Sequence, residues 1–191
     1  NFMITNVDFN YDCIGEDVVK ATHLVPDGGF LLLENLRFHK GEIENADVAI
    51  VIGANPTENH PVAATYFKQF AKRGGKLIVM DPRGQALKRH STHMLQFRPG
   101  ADVSLLNAMM HVIVEEGLFD QSYIDQFTEN WEAEKAHLAD FTPEAMEGIC
   151  GISANDIRAA ARTFATGKAG MIFWGMGVSQ HIHGTDNSRC L

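Results

Sequence analysis

Short apolar runs that end at polar turns recur along this chain and alternate with segments of helical spacing. Ala49-Ile-Val-Ile52 stops at a Gly-Ala-Asn-Pro turn, and Leu77-Ile-Val-Met80 stops at Asp-Pro-Arg. Between them, residues 59–73 carry apolar side chains at intervals of three and four, as an amphipathic helix does. This alternation is typical of βαβ units, and it predicts an α/β fold with a Rossmann-like parallel sheet flanked by helices.

The same patterns predict further elements on both sides of this unit. Strands are predicted over residues 30–33, 47–53, 76–80, 93–98 and 169–174. Helices are predicted over residues 17–22, 59–73, 102–116, 120–128, 131–139, 143–150 and 153–166, with a last one beginning near residue 184. Asp102, Thr142 and Ser153 precede helical segments and are predicted to cap their amino ends. Phe173 and Trp174 are expected in the core.

Four polar loops follow predicted strands or open predicted helices: Gly53-Ala-Asn-Pro56, Asp81-Pro-Arg83, Arg98-Pro-Gly-Ala-Asp102 and Gly175-Met-Gly-Val-Ser-Gln180. Ligands of open parallel sheets bind outside the carboxyl ends of the strands. Glycines let the backbone approach a phosphate, an Asp can accept hydrogen bonds from ribose or guanine, and an Arg can pair with phosphate. The loops therefore predict a nucleotide-like ligand.

Composition and charge restrict the class of protein. The chain has 191 residues, 45% of them hydrophobic and 21% charged, as is ordinary for a soluble globular protein. Its net charge of −8 disfavours nucleic acid or an anionic membrane as a partner. The apolar runs are too short to span a bilayer, and no secretory signal opens the chain, so we expect a cytoplasmic protein.

Cysteines and histidines give no clear metal site. Cys13, Cys150 and Cys190 form no Cys-x-x-Cys pair, which excludes the usual iron–sulfur and zinc-ribbon motifs and favours reduced thiols. His181-Ile-His183 has no third ligand in register and is more typical of a loop, although one histidine beside a bound cofactor stays an alternative. No catalytic residue and no metal ligand is predicted.

Residues 45–191 resemble the catalytic subunits of Mo- or W-dependent formate dehydrogenases, in the molybdopterin oxidoreductase family. The motifs that carry this resemblance are Val51-Ile-Gly-Ala-Asn-Pro-Thr-Glu-Asn-His-Pro61, Lys76-Leu-Ile-Val-Met-Asp-Pro-Arg83, Arg98-Pro-Gly-Ala-Asp102, Gly117-Leu-Phe-Asp120, Ile157-Arg-Ala-Ala-Ala-Arg162 and Gly175-Met-Gly-Val-Ser-Gln-His-Ile-His-Gly-Thr-Asp-Asn187.

The resemblance implies a bis(molybdopterin guanine dinucleotide) cofactor that holds Mo or W. It assigns the guanine dinucleotide to Gly53, Asn55, Glu58, Asp81 and Arg83. It assigns the guanine and ribose end to Gly100 and Asp102, and the pterin–phosphate region to Gly175, Met176, Gly177 and Gln180. These are the loops at which the strand pattern alone predicts a nucleotide.

The family pattern is incomplete here. In the family a Cys or selenocysteine followed directly by His binds the metal, whereas Cys13 is followed by Ile14. The family's downstream Arg and its iron–sulfur cysteines have no counterpart in this sequence. We therefore expect a fragment, inactive alone, whose partners are the rest of the catalytic subunit and electron-transfer subunits and whose substrate is formate. We also expect exposed apolar surface and association of the isolated piece.

Residues 1–44 are predicted to be a separate segment of uncertain origin. Val7-Asp-Phe-Asn10, Asp12-Cys-Ile-Gly15 and Leu31-Leu-Leu-Glu-Asn-Leu-Arg-Phe-His-Lys40 resemble pieces of phosphoglycerate kinase. That resemblance implies that Asp8, Asn10 and Arg37 bind 3-phosphoglycerate. Three hypotheses follow: a cofactor-binding fragment of formate dehydrogenase, which the motifs favour, a kinase-like phosphotransferase segment, or a non-catalytic α/β domain.

Overall fold

A computed structural model describes residues 7–10, 20, 30–33 and 46–191, and the chain falls into two compact units, Asn1–Glu42 and Ile43–Leu191. In the first unit, β1 (Val7–Asn10) pairs in parallel with β2 (Phe30–Leu33). The strand predicted over 30–33 is thus confirmed. Apart from Lys20, which is helical, the helix predicted over 17–22 lies outside the described residues, as do Cys13 and Arg37.

The second unit is built on a parallel sheet of four strands. These strands are β3 (Val48–Ile52), β4 (Lys76–Met80), β5 (His93–Leu95) and β6 (Gly170–Trp174). They lie in the order β5-β4-β3-β6, and Ile52 at the end of β3 is opposite both Met80 and Trp174. The predicted α/β fold with a parallel sheet is therefore confirmed.

Helices occupy the connections between these strands. Two lie between β3 and β4: α1 (Pro56–Asn59) and α2 (Pro61–Lys72). A 3₁₀ segment, Ala86–His90, precedes β5. Five helices connect β5 to β6: α3 (Asp102–Glu115), α4 (Gln121–Phe127), α5 (Trp131–Leu138), α6 (Pro143–Cys150) and α7 (Ala154–Ala165). After β6 come α8 (Met176–Ser179) and α9 (Gly184–Arg189).

The sheet buries both of its faces because successive side chains of a strand point to opposite sides. Every residue of β3 is buried, as is expected for a central strand of a parallel sheet. One face packs against α2 and the 3₁₀ segment through Ala49, Val51, Phe67, Phe70, Leu77, Val79 and Leu87. The other face packs against α3, α6 and α7 through a cluster that includes Ile50, Ile52, Ile78, Met80, Leu105, Met109, Val112, Met146 and Ile157.

Three predicted elements differ from the structure. The helix predicted over 59–73 is two helices that meet at His60, because Pro61 has no backbone N–H to continue the first. The strand predicted over 93–98 ends at Leu95. β6 was expected to be buried, but it lies at an edge of the described sheet and Gly170 and Trp174 are exposed.

The caps predicted at Thr142 and Ser153 are confirmed, whereas the one at Asp102 is wrong. The Thr142 hydroxyl accepts the N–H of Ala145 at 3.2 Å, and the Ser153 hydroxyl accepts the N–H of Asp156 at 3.1 Å. Helix α3 has Ala101 at its N-cap, and Asp102, one residue later, makes no capping bond. The Asp102 side chain is buried instead.

Two further properties of the described residues concern helices that could span a membrane and exposed apolar side chains. No helix in residues 46–191 is both long enough and apolar enough to cross a membrane. Seven large apolar side chains in the same range are exposed: Val62, Tyr123, Phe127, Ile149, Trp174, Met176 and Ile182. Association of the chain through such side chains stays a prediction.

Candidate functional site

The loops after β3, β4 and β6 meet at the carboxyl edge of the sheet. They meet because β3 has β4 on one side and β6 on the other, which makes its carboxyl end the point where the strand order changes direction. The N–H of Gly53 donates to the carbonyl of Met80 at 3.4 Å, and the N–H of Gly177 donates to the carbonyl of Gly53 at 2.9 Å. Three chain segments that are distant in sequence are thereby joined by backbone hydrogen bonds.

Glycine is required where the β3 and β6 loops pass each other. Gly53 has φ +57°, and a Cβ added to it would lie 2.6 Å from the backbone nitrogen of Val178. A Cβ on Gly177 would lie 2.6 Å from the carbonyl oxygen of Gly53, and one on Gly175 would lie 2.9 Å from the same oxygen. These three glycines, which the sequence assigns to a cofactor, thus permit close packing of one loop on another.

The β4 loop brings a buried carboxylate and an exposed cation together. Asp81 is 3% exposed, and its Oδ1 accepts the backbone N–H of Arg83 at 2.7 Å. The Nε of Arg83 lies 3.9 Å from the same oxygen, while the Arg83 side chain is 75% exposed. The aspartate is therefore fixed, and most of the guanidinium is accessible to an anion such as a phosphate.

In the β3 loop, Asn55 is buried and organises the start of α1. Its Oδ1 accepts the hydroxyl of Thr57 at 2.6 Å, and its carbonyl accepts the N–H groups of Glu58 at 3.1 Å and Asn59 at 3.0 Å. Glu58 is exposed on α1. Of these two predicted site residues, Asn55 thus has a defined structural partner, and Glu58 presents its carboxylate to solvent.

Gln85 is a residue of this edge that the sequence analysis missed. Its Nε2 donates to the carbonyl of Ala54 at 2.6 Å and to Oδ2 of Asp81 at 3.4 Å, so it connects the β3 and β4 loops. The side chain is buried, and its Oε1 has no hydrogen-bond partner in the described structure. A glutamine between Gly84 and the 3₁₀ segment Ala86–His90 gives no signal of this role in the sequence.

The loop after β5 is attached to α6 rather than to the loops of β3 and β4. The backbone N–H of Arg98 donates to the carbonyl of Cys150 at 2.8 Å, and the guanidinium donates to the carbonyls of Gly148 and Ile149 at the end of α6. Among residues 46–191, no hydrogen bond joins Gly100 or Asp102 to the β3 and β4 loops. In the described part of the chain, these two predicted residues are therefore not linked to Asp81 and Arg83 by hydrogen bonds.

Gly100 and Asp102 lie in a different environment. Gly100 lines a cavity of about 570 Å³ with residues of α3, α5 and α9, among them Asn107, Glu134 and Asp186. Burial raises the pKa of the Asp102 carboxyl above its ordinary value, and the nearby His181 opposes that shift. Asp102 thus places a buried carboxyl at the amino end of α3.

The β6 loop presents side chains to solvent. Met176 is 66% exposed, and its sulfur accepts a hydrogen bond from Nε2 of Gln180 at 3.4 Å. Phe173 packs edge-to-face on Phe67 with ring centroids 4.9 Å apart, as expected of a core residue. Trp174 does not fit that expectation, because it is 43% exposed at the end of the edge strand.

No metal site is formed by the part of the chain that the structure describes. In that part, no group of three or more His, Cys, Asp or Glu side chains is arranged to hold an ion. Cys150 is a buried free thiol, and burial raises the pKa of the Cys190 thiol, which makes it a poor nucleophile at neutral pH. His181 and His183 are exposed and do not contribute a metal centre.

Comparison with known proteins gives one consistent result. The family model described as molybdopterin oxidoreductase matches residues 5–191. Formate dehydrogenase H of Escherichia coli (strain K12) is 40% identical over 150 residues, which cover 78% of this chain and 21% of that protein. The F420-dependent formate dehydrogenase subunit alpha of Methanocaldococcus jannaschii is 37% identical over 150 residues, covering 78% of this chain and 22% of that protein.

Two further relatives extend the comparison. A nitrate reductase of Symbiobacterium thermophilum is 39% identical over 155 residues, covering 75% of this chain and 21% of that protein. Among solved structures, acetylene hydratase from Pelobacter acetylenicus matches with a TM-score of 0.66 and 30% identity, over 70% of this chain and 18% of that one. The chain spans 21–22% of the length of these curated relatives.

Proposed function

Because this chain belongs to the molybdopterin oxidoreductase family, we propose that it is a cofactor-binding part of a formate dehydrogenase catalytic subunit. Membership in the family implies oxidoreductase chemistry and a molybdopterin cofactor with Mo or W. The proposal adds that the cofactor is the bis(guanine dinucleotide) form and that the substrate of the whole protein is formate. Three of the relatives that support it are formate dehydrogenases with 35–40% identity.

One observation carries the proposal: the glycine-rich β3 and β6 loops meet beside a buried carboxylate and an exposed guanidinium. The donor set suits a guanine dinucleotide, because Arg83 can pair with a phosphate and Asp81 can accept from a ribose hydroxyl or a guanine N–H. The absence of a Cβ at Gly53 and Gly177 lets the two loops pack closely, and the backbone of these loops would form the surface that the dinucleotide approaches.

The proposed roles of the remaining residues follow the loops on which they lie. Asn55 and Glu58 would line the dinucleotide at the β3 loop, and Gly100 and Asp102 would contact its guanine and ribose end. Gly175, Met176 and Gln180 would approach the pterin–phosphate region from the β6 loop. These residues would bind and orient the cofactor, whose metal would supply the redox chemistry needed to oxidise formate to carbon dioxide.

The surroundings of this part of the enzyme belong to the proposal as well. The rest of the catalytic subunit would supply the metal ligand and the iron–sulfur clusters, and electron-transfer subunits would accept the electrons. A cytoplasmic location stays a prediction. The proposed dinucleotide contacts would be formed by residues of this chain.

Nitrate reduction is the second candidate activity. Nitrate reductases of Symbiobacterium thermophilum and of Synechocystis match this chain at 39% and 32% identity, a range close to that of the formate dehydrogenases. The proposed dinucleotide loops would serve the same purpose in either case, because their proposed role is to hold the cofactor. The choice between formate and nitrate therefore rests with the rest of the protein.

The kinase-like hypothesis depends on the first unit. Asp8 and Asn10 lie in β1, and Arg37 lies outside the described residues. The family match over residues 5–191 includes the segment that carries the kinase-like motifs. We therefore keep 3-phosphoglycerate binding as the competing outcome of the experiment below, and absence of any ligand as the outcome for a non-catalytic domain.

Calorimetric titration of the chain with GDP, and separately with 3-phosphoglycerate, tests the proposal. We expect saturable binding of GDP that weakens about tenfold or more in Asp81→Ala and Arg83→Ala, since each loses a charged hydrogen bond. Arg89→Ala, which removes an exposed arginine of the 3₁₀ segment, is the matched control and should bind as the parent chain does. Binding of 3-phosphoglycerate alone, lost in Arg37→Ala, would replace this proposal by the kinase-like one.

A further inference from the structure

Gln85 connects two loops that are 31 residues apart in sequence. Its Nε2 lies 2.6 Å from the carbonyl oxygen of Ala54 in the β3 loop and 3.4 Å from Oδ2 of Asp81 in the β4 loop. Each oxygen of the Asp81 carboxylate thus accepts from a different donor: Oδ2 accepts from the Gln85 amide, and Oδ1 accepts from the backbone N–H of Arg83. The amide links the β3 backbone to the residue that orients Arg83.

The orientation of the Gln85 amide is determined by these acceptors. Ala54 offers a carbonyl and Asp81 a carboxylate, so the nitrogen must face both of them. The oxygen is then left buried without a donor in the described structure, which is unfavourable for a polar atom. An apolar side chain of similar size would fill the position without that cost, so simple packing does not account for a glutamine here.

We propose that Gln85 is a positioning residue of the dinucleotide edge, which holds the Ala54 carbonyl and the Asp81 carboxylate in fixed register so that Arg83 faces the diphosphate of the ligand. This inference rests on the proposed function for the identity of the ligand. It adds a residue that none of the four loop motifs contains. The effect is assigned to geometry, because the Gln85 side chain is itself buried and its amide nitrogen bonds Ala54 and Asp81.

Gln85→Glu tests the donor directly, because it replaces the amide nitrogen by an oxygen of nearly the same size. Among the described residues, the contacts of Gln85 place the Asp81 carboxylate at this position and the Arg83 guanidinium beyond it, and the β3 loop presents the Ala54 carbonyl. An ionised carboxylate there repels both oxygen acceptors, whereas a protonated one can donate to one of them. The variant should therefore lose the link at neutral pH and regain it in acid.

Calorimetry with GDP is the first measurement. At pH 7.5 we expect Gln85→Glu to bind about tenfold more weakly than the parent chain, and the ratio of the two affinities should return toward one as the pH is lowered to 5. Gln85→Met, which has no donor, should bind weakly at both pH values. Gln69→Glu makes the same chemical change on the exposed face of α2, and its affinity should follow that of the parent chain throughout.

Hydrogen exchange without ligand is the second measurement, and it separates this inference from the proposed function. Loss of the link frees the Asp81 carboxylate, so the N–H of Arg83 should exchange faster in Gln85→Glu and Gln85→Met than in the parent chain at the same pH. If GDP does not bind the parent chain, the proposed function fails, and faster exchange still supports the positioning role. Exchange and affinity that match the parent in both variants would overturn it.

Discussion

At the scale of single residues, the carboxyl edge depends on glycines that no other residue can replace without movement of the backbone. Gly53 combines a left-handed φ of +57° with a backbone neighbour, Val178, where a side chain would lie. Glycines in such loops are usually explained by the need for a phosphate to approach the backbone. Here the close packing of the β3 and β6 loops on each other already requires glycine, whether or not a ligand binds.

We expect Gly53→Ala to destabilise the chain by about 1–3 kcal/mol from backbone strain, with a further cost from the close approach to Val178. Gly148→Ala is the matched control, because its Cβ would meet no atom within 4 Å and it lies in α6, where alanine favours the helix by up to about 1 kcal/mol. Urea unfolding of the three chains measures both effects. Equal stability of Gly53→Ala and the parent chain would contradict the packing described here.

Asp102 gives a pH-dependent prediction. Burial raises the pKa of its carboxyl in the folded state, so the folded chain binds this proton more tightly than the unfolded chain does. The free energy of unfolding should therefore fall as the pH rises from the pKa of the unfolded state through the pKa of the folded state. Asp102→Asn removes the buried charge, and it should raise the melting temperature at pH 7. The difference should vanish below about pH 4, where the carboxyl is protonated in both states. Thermal melts of both chains between pH 4 and pH 7 measure this difference in melting temperature. A difference that persists in acid would show that the substitution acts through packing and not through the buried charge.

At the scale of elements, helix ends are fixed by short-range hydrogen bonds. The Ser153 hydroxyl accepts the N–H of Asp156 and donates to its carboxylate at 2.7 Å, while a Glu147 oxygen accepts the N–H of Ala154. These bonds satisfy the free amides at the start of α7. Because α7 packs its buried face against the sheet, its first turn is connected to the core on which the loops rest.

Ser153→Ala should therefore cost about 1 kcal/mol of stability through loss of the N-cap. Ser122→Ala is a suitable comparison, since Ser122 lies within the exposed helix α4 and its hydroxyl only accepts a bond from Gln126. That variant should stay within about 0.5 kcal/mol of the parent chain. Denaturant unfolding with unchanged slope gives both values; a loss in Ser122→Ala as large as in Ser153→Ala would argue against a specific cap.

At the scale of the whole molecule, residues 46–191 contain a sheet that is covered on both faces by their own helices. The second unit, Ile43–Leu191, therefore has the elements of an independently folding domain. This is also the part of the chain that carries the loops of the proposed dinucleotide site. The two properties together make this unit a suitable piece in which to measure both folding and the proposed binding.

A chain of residues 43–191 should unfold in one cooperative transition. We expect its melting temperature to lie within about 4 °C of that of the whole chain, which corresponds to roughly 1 kcal/mol for a protein of this size. Saturating GDP should raise the melting temperatures of both chains, because a ligand that binds only the folded state stabilises it. Circular dichroism melts provide the test, and a broad, non-cooperative transition of the shorter chain would refute independent folding.

Periodicity and turn chemistry in the sequence were sufficient for most of the fold. Apolar runs located all four strands of the second unit, and the glycine and capping signals located most helix ends, because these depend on neighbours within one turn. The predictions that were wrong concern side chains whose positions depend on packing between residues far apart in the sequence. Asp102 looks like an N-cap, but tertiary burial takes its side chain away from that role, and Trp174 looks like a core residue until the strand order puts it at an edge.

The sequence by itself determined the class of fold, the loops that end the strands, and the resemblance to the molybdopterin oxidoreductases, since each is written in local pattern or motif. Only the tertiary structure decided which loops touch. It joined Gly53 to Gly177 and Ala54 to Gln85, and it placed Gly100 on a cavity lined by residues of α3, α5 and α9. The physical reason is that hydrogen bonds and close packing between loops depend on strand order and register, which arise from contacts among residues far apart in the chain.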